Sequence, residues 1–256
     1  MTNQQNKPPF FIVGCVRSGT TMLRDIFKLH QGMTCPEETH FLRWSWPYGT
    51  TEYKNIYTNN GLLVKHREID GVAEDKHQQM LADSLSRKEF VDNYMQEFKK
   101  AQDMSDARWF DKTPQNLYGM LLISAEYPQA KFVHIYRNPL NVVASLKVGK
   151  VMKVQNTVAA ANYWREGVMI AKQFANAFPN KVMEINYEDI TQYRHKTMAQ
   201  LCEFIGEDNI FESVDLSFIK EERPKYKEIL SPEEIEKARK ICDPAIEFTG
   251  YNFTDY

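Results

Sequence analysis

PPFFIVGCVRSGTTML, residues 8–23, carries the strongest fold signal in the chain. The apolar run that ends at Val13 predicts a buried strand, and apolar residues at helical spacing from Met22 onward predict a helix. The loop between them, 14–21, lies where backbone N–H groups at a helix N-terminus can surround a phosphate. We therefore predict a strand, a loop and a helix that together form an anion site.

The loop has the GxxxxG spacing of a nucleoside-triphosphate loop, but Thr20 stands where that loop requires a lysine. This substitution argues against a P-loop kinase of small molecules, which stays the alternative enzyme class. Arg17 supplies a cation from within the loop instead. The expected donors to one 5′-phosphate are the hydroxyl and backbone groups of Ser18, Gly19, Thr20 and Thr21.

Further strands and helices alternate after this strand–loop–helix segment. Strands are predicted at 107–112, 131–137 and 181–190, and helices at 117–127, 140–150, 156–178, 191–205 and 232–241. Asn138 is the predicted cap of the helix that begins at Pro139. Four strands separated by helices predict an α/β fold with a mostly parallel central sheet flanked by helices.

Residues 41–104 interrupt this alternation. They begin as aromatic, irregular sequence and continue as two charged helical patterns, which predicts a lid or acceptor-side insertion within a single domain of residues 1–256. Aromatic side chains pack more often than they bind ligands. We therefore expect packing roles for the insertion's aromatic residues, Trp44, Trp46, Tyr48, Tyr53 and Tyr57.

The composition is that of a soluble globular protein, with 43% hydrophobic and 26% charged residues. A net charge of -2 is too balanced for a main partner that is a nucleic acid or a membrane surface. The apolar runs are too short to span a bilayer, and the first residues lack a secretory signal, so we expect a cytoplasmic protein. Four cysteines without CxxC spacing are expected to be reduced thiols, with no metal site.

Arg137 is the second candidate anion ligand. It ends a predicted strand, and the carboxyl ends of strands in an open parallel sheet face the ligand crevice. Its guanidinium fork and the hydroxyl of Ser145, about two turns along the next helix, can hold a second phosphate. The alternative is that Arg137 pairs with a nearby carboxylate. Together with the first loop, this pair indicates a nucleotide with phosphates at two distant positions.

These motifs resemble those of the sulfotransferases that use 3′-phosphoadenosine 5′-phosphosulfate (PAPS), over most of the chain. FIVGCVRSGTTML resembles their 5′-phosphosulfate loop, and YRNPLNVVASL resembles their 3′-phosphate segment, with Arg137 and Ser145 at the matching places. INYEDI is similar to the strand whose tyrosine, here Tyr187, lies near the nucleotide. RPKYKEIL and ICDPAIEFTGYNF resemble late segments of the family, and Lys225 is implied as a nucleotide contact. The resemblance implies the P-loop-like sulfotransferase fold, with PAPS as co-substrate and no metal.

TCPEETHFLR resembles the segment that carries the general base in tyrosylprotein sulfotransferases and their bacterial relatives, and the base position is Glu38. Glu37 and His40 are the local alternatives. Lys112, in FDKTPQN, matches the lysine that stabilises charge on the transferring sulfuryl group and the leaving phosphate. It ends a predicted strand and is expected to face the same crevice as the two arginines. Asp111 has the chemistry of a magnesium ligand, but the missing loop lysine argues against a triphosphate site.

The acceptor is less constrained by the sequence. The segment from Trp46 to Asp70 has no excess of positive charge, which disfavours an acidic peptide. We expect a small-molecule hydroxyl, such as that of a secondary metabolite, with an amine as a further option. Tyrosylprotein and carbohydrate acceptors remain alternatives, as does a non-catalytic nucleotide sensor. The sequence predicts no oligomeric state.

Overall fold

The computed structural model describes residues 7–43, 46–150 and 152–249. Its five strands are β1 (Phe10–Val13), β2 (Met33–Thr34), β3 (Arg108–Asp111), β4 (Lys131–Tyr136) and β5 (Val182–Asn186). They form a mostly parallel sheet in the order β2-β3-β1-β4-β5, in which β3 pairs in parallel with β1 and with β2. The α/β fold class predicted from the sequence is confirmed.

Helices separate the strands. Before β3 lie α1 (Thr20–Phe27), α2 (Thr51–Asn59), α3 (Gly61–Asp70), α4 (Glu74–Asp83) and α5 (Arg87–Ala101). A 3₁₀ helix (Pro114–Gly119) and α6 (Met120–Glu126) precede β4, and α7 (Pro139–Val148) and α8 (Thr157–Ala177) precede β5. The remaining helices are α9 (Tyr187–Gln192), α10 (Arg194–Ile205), α11 (Tyr226–Ile229) and α12 (Pro232–Thr249). Within the described ranges, no helix combines the length and apolar character needed to cross a membrane.

Several elements differ from their predictions. The two-residue β2 is too short to leave a periodic pattern, and the insertion contains four helices rather than two. The strand predicted over 181–190 ends at Asn186, because the Asn186 side chain accepts a hydrogen bond from the Asp189 N–H and caps α9. The last helix continues to Thr249 with Pro244 inside it. Trp44 and the end of ICDPAIEFTGYNF lie outside the described residues.

The chain divides into two compact units. The first comprises residues up to Val13 together with Thr21–Phe132, and the second comprises Gly14–Thr20 together with the residues from Val133 onward. The glycine-containing loop therefore belongs to the second unit, although β1 directly before it and most of α1 directly after it belong to the first. The single domain of residues 1–256 stays a prediction.

Aromatic side chains form the core of the insertion in the first unit. The Phe41 ring lies 5.2 Å from the Tyr57 ring and 4.8 Å from the Tyr94 ring, between ring centroids. Tyr53 and Tyr57 are fully buried, which confirms the predicted packing role for these two residues. Trp46, by contrast, is 54% exposed.

The core of the second unit surrounds Trp164 on α8, which is fully buried against residues of α7 and α12. The Trp164 Nε1–H donates to the carbonyl oxygen of Arg137 at 3.0 Å. The predicted start of α7 is also confirmed, because Asn138 Oδ1 accepts hydrogen bonds from the first-turn N–H groups and Pro139 is the first helical residue. The backbone that carries Arg137 is thus fixed on both sides.

Candidate functional site

The loop between β1 and α1 depends on close approach to its neighbours. A Cβ atom on Gly14 would lie 2.3 Å from the carbonyl oxygen of Ile135. Gly19 has a φ of +95°, and a Cβ atom there would lie 2.3 Å from Cδ2 of Tyr187. Both positions exclude a side chain, and the Gly19 backbone conformation also favours glycine. Arg17 adopts a left-handed φ of +72°, which is uncommon outside glycine.

The loop contains a buried hydroxyl group that lacks a partner. Ser18 is fully buried, and its Oγ has no hydrogen-bond partner among the described residues. Thr20 is the first residue of α1 and is also buried. An unsatisfied hydroxyl beside a helix N-terminus is suited to an anion, whose oxygens accept from both. The exposed Arg17 donates from Nε to Ser145 Oγ at 2.9 Å, so two of the predicted phosphate ligands are already in contact.

Arg137 lies directly after β4 and is held by three groups of the second unit. Its Nη1 donates to the carbonyl oxygen of Arg17 at 3.1 Å, and its guanidinium carbon lies 4.6 Å from the centroid of the Tyr187 ring. Its Nε and Nη2 both donate to Oε1 of Glu222, at 3.0 and 2.5 Å. The pairing with a carboxylate that the sequence left open is therefore present. The sequence analysis did not identify Glu222, because 85 residues separate the partners.

Two other predicted nucleotide contacts of the second unit lie at helix starts. Tyr187 begins α9 rather than lying within a strand, and burial raises its pKa above the ordinary value. Lys225 is exposed and directly precedes α11. Contacts of Tyr187 and Lys225 with a nucleotide stay predictions.

In the first unit, the structure brings together Glu38, Lys112 and Thr21. Lys112 directly follows β3, and its side chain is only 2% exposed, against 27% for Glu38. Lys112 Nζ donates to Glu38 Oε1 at 2.5 Å and to Thr21 Oγ1 at 3.3 Å. The hydrogen bond from this buried ammonium holds the Glu38 carboxylate in place.

The two alternative bases have other surroundings. His40 Nε2 lies 3.7 Å from Glu38 Oε2, and burial, with a contribution from the Arg43 charge, lowers the pKa of His40 to about 4. His40 is therefore neutral near pH 7 and holds a proton weakly. Glu37 Oε1 accepts a hydrogen bond from Arg24 Nη1 at 2.9 Å, so its carboxylate is paired with a cation that does not contact Glu38.

Asp111 is a structural carboxyl group. It is buried, with Oδ2 accepting from Thr39 Oγ1 at 2.7 Å and Oδ1 accepting from Asn116 Nδ2 at 2.8 Å. Burial raises its pKa to about 6. These bonds tie the segment before Glu38 and the 3₁₀ helix to the end of β3. Among the described residues, no group of three or more His, Cys, Asp and Glu side chains is arranged to hold a metal ion.

Helix α3 of the insertion holds the backbone of the Glu37–Glu38 segment. Asp70 Oδ1 accepts from the Glu37 N–H at 2.8 Å, and His66 Nδ1 lies 3.0 Å from the Glu38 carbonyl oxygen, to which it donates. Tyr94 on α5 donates its hydroxyl to Asp70 Oδ2 at 2.7 Å. His66 and Asp70 are one helical turn apart, and we call this pair the α3 clamp. The sequence analysis missed it, and its one visible signal is the i, i+4 spacing.

Asp70→Asn is expected to change how stability depends on pH. Burial is the main cause that raises the Asp70 pKa from 3.8 to about 6. The folded protein therefore binds this proton more tightly than the unfolded chain, so the stabilisation is complete below pH 4 and is lost as pH rises through 6. Relative to Asp70→Asn, the wild-type free energy of unfolding should rise by about 2–3 kcal/mol as pH falls from 8 to 4, at about 1.4 kcal/mol per pKa unit. Urea unfolding of both proteins across this range measures the difference, and parallel pH profiles would contradict the prediction.

Comparison with known proteins bears on the family and the fold of the chain. A model described as the sulfotransferase family matches residues 8–212. A curated relative, an uncharacterized protein of Aquifex aeolicus (strain VF5), is 24% identical over an alignment of 219 residues, and the match covers 81% of this chain but only 27% of that protein. The chain thus spans about a quarter of that relative's length.

Two solved structures share the fold. The sulfotransferase domain from the Synechococcus PCC 7002 olefin synthase is similar with a TM-score of 0.66 and 17% identity, covering 98% of both chains. The sulfotransferase domain from the curacin biosynthetic pathway is similar with a TM-score of 0.59 and 16% identity, covering 97% of this chain and 99% of that one. At these identities, the likeness shows the fold alone.

Proposed function

The chain belongs to the sulfotransferase family, and from this premise we propose that it transfers the sulfuryl group of PAPS to a hydroxyl group of a small molecule. The observation that carries the choice of donor is the contact between two guanidinium-bearing residues of the second unit. Arg137 Nη1 donates to the carbonyl oxygen of Arg17, and Arg17 donates to Ser145. Two neighbouring cations beside a loop with an unpaired buried hydroxyl suit a ligand with two separate anionic groups.

The 5′-phosphosulfate is assigned to the loop, and the 3′-phosphate is assigned to Arg137 and Ser145. Loop N–H groups and the hydroxyls of Ser18 and Thr20 supply donors to the first group, together with Arg17. Arginine suits both anions, because its planar fork binds two oxygens at once. Tyr187 and Lys225 are assigned to the nucleotide on the family resemblance.

The reaction is a direct, in-line transfer. The acceptor oxygen forms a bond to sulfur while the bond between sulfur and the 5′-phosphate oxygen breaks, and adenosine 3′,5′-bisphosphate (PAP) leaves. Glu38 takes the proton of the acceptor hydroxyl as the new bond forms. Lys112 stabilises the negative charge that develops on the leaving phosphate. No covalent enzyme intermediate is needed.

The ion pair between Lys112 and Glu38 supports this assignment of roles. The hydrogen bond from the buried Lys112 ammonium orients the Glu38 carboxylate. The pair therefore places the proposed base within hydrogen-bond distance of the group that is proposed to stabilise the leaving phosphate.

The proposed acceptor is a small hydroxylated molecule. The insertion buries Tyr53 and Tyr57 in its own core. The two structurally similar sulfotransferase domains come from an olefin synthase and a biosynthetic pathway. These neighbours support a place in secondary metabolism. Tyrosylprotein and carbohydrate acceptors are the competing outcomes of an acceptor screen.

Competitive binding tests the donor. PAP is expected to bind far more tightly than ATP with magnesium in isothermal titration calorimetry, and Arg137→Ala is expected to remove that preference. Tighter binding of ATP would favour a P-loop kinase instead. Transfer from labelled PAPS to a panel of phenols, alcohols and amines then tests catalysis, and failure with every acceptor class would favour a nucleotide sensor.

A further inference from the structure

The guanidinium group of Arg137 is occupied by an internal anion. Glu222 Oε1 accepts three hydrogen bonds, from Arg137 Nε at 3.0 Å, from Arg137 Nη2 at 2.5 Å and from Asn141 Nδ2 at 2.5 Å. Three donors therefore converge on one carboxylate oxygen. A phosphate oxygen bound by an arginine side chain has the same kind of surroundings. The donor set that the proposed function assigns to a 3′-phosphate is therefore complete without one.

Burial explains why a carboxylate lies there. The side chains of Arg137 and Glu222 are 16% and 7% exposed, so both charges are largely removed from water. A buried charge without a partner is strongly destabilising, whereas a buried pair with good hydrogen bonds is tolerated. Glu222 thus neutralises Arg137 in the protein without ligand.

The segment around Glu222 is anchored on both sides. Residues 220–224 belong to no helix or strand, while Ile219 before them and Tyr226 after them are buried. The Tyr226 N–H donates to Asn141 Oδ1 at 3.2 Å, so Asn141 contacts both the segment's end and Glu222. These flanking anchors do not involve the bond between Glu222 and Arg137.

We infer that the Glu222 carboxylate occupies the position of the 3′-phosphate until that phosphate displaces it, and that Glu222 thereby sets the enzyme's preference among nucleotides. This inference rests on the proposed function. A 3′-phosphate accepts hydrogen bonds from the same donors as the Glu222 carboxylate and carries more negative charge. Because two negative groups repel each other at this distance, the phosphate must displace Glu222 when it binds. A ribose 3′-hydroxyl is neutral and can donate to Glu222 in place. Glu222 therefore lowers the affinity for PAP but not for AMP, and its return to Arg137 favours release of PAP.

Calorimetric titration of Glu222→Gln with PAP and with AMP tests this inference. Glutamine retains an oxygen that accepts from Arg137 but lacks the charge, so PAP should bind about tenfold more tightly, the lower end of the range for close charge pairs. AMP affinity should stay unchanged, and stopped-flow dissociation of PAP should be slower. Glu221→Gln is the matched control, because Glu221 is the exposed neighbour and its replacement changes the net charge equally. Thermal unfolding of each variant confirms that it is folded.

The possible results separate this inference from the proposed function. One result would overturn the inference but not the proposed function. In that result PAP binds the wild-type protein, but Glu222→Gln binds PAP no more tightly than Glu221→Gln does. Weaker PAP binding in Glu222→Gln would likewise overturn it, and would make Glu222 a residue that positions Arg137. Failure of PAP to bind the wild type and both variants would overturn the proposed donor, and this inference with it.

Discussion

Glu38→Gln should lose at least about 100-fold in turnover, the usual contribution of a general base. Glutamine has nearly the same shape and can still accept a hydrogen bond from Lys112, but it cannot take the acceptor proton. PAP affinity should stay close to that of the wild type, because the phosphate ligands proposed here lie in the loop and at Arg137. Steady-state transfer from labelled PAPS, combined with PAP titration, separates the lost chemistry from lost binding.

Glu37→Gln is the matched control for this experiment. Glu37 is adjacent in sequence and similarly exposed, but its carboxylate pairs with Arg24 rather than with Lys112. Its replacement should leave turnover near the wild-type value. Near-full activity of Glu38→Gln would move the base assignment to His40, and a matching loss in Glu37→Gln would show that any change in this segment disturbs the site.

Lys112→Met should reduce turnover by about 100- to 1000-fold, the cost of removing one group that stabilises developing charge. Methionine fills the space of the lysine stem but cannot stabilise the leaving phosphate. The proposed base is still present in this variant, so a fall in rate is attributed to the loss of the Lys112 ammonium. The effect should appear mainly in kcat, since the proposed nucleotide ligands are unchanged.

Lys172→Met is the control for the loss of a lysine–glutamate pair. Lys172 on α8 donates to Glu184 at 2.7 Å and has no assigned role in transfer. Its replacement should leave kcat near the wild-type value, with at most a small change in thermal stability. A Lys112→Met enzyme as active as Lys172→Met would contradict the role assigned to Lys112.

The sequence was sufficient for the main elements because their signals are local. β1, β4 and α7 each combine an apolar pattern with a loop or cap residue nearby, as Asn138 and Pro139 illustrate. β2 was missed because a strand of two residues is too short to show an alternation of apolar and polar residues. The strand predicted through Ile190 was too long, because the cap formed by Asn186 outweighs the apolar alternation that continues beyond it.

Predictions for the candidate site were limited by contacts between distant residues. Lys112 and Glu38 were each proposed from a motif, but their direct hydrogen bond joins positions 74 residues apart. A carboxylate partner for Arg137 was one of two alternatives, and no local sequence pattern singled out Glu222. The α3 clamp was missed for the same reason, because the i, i+4 spacing of its two residues does not show that Asp70 contacts the Glu37 backbone, 33 residues away.

The α3 clamp restricts how this enzyme can be re-engineered or can diverge. The sequence predicts that the insertion lies on the acceptor side, which makes it the segment to exchange for a different acceptor, but its helix α3 also holds the Glu37 N–H and the Glu38 carbonyl oxygen. A chimera that imports a foreign insertion without its own 36–40 segment would leave the carboxylate unsupported. Under the proposed function, an exchange of the insertion should therefore also carry residues 36–40 from the same parent protein.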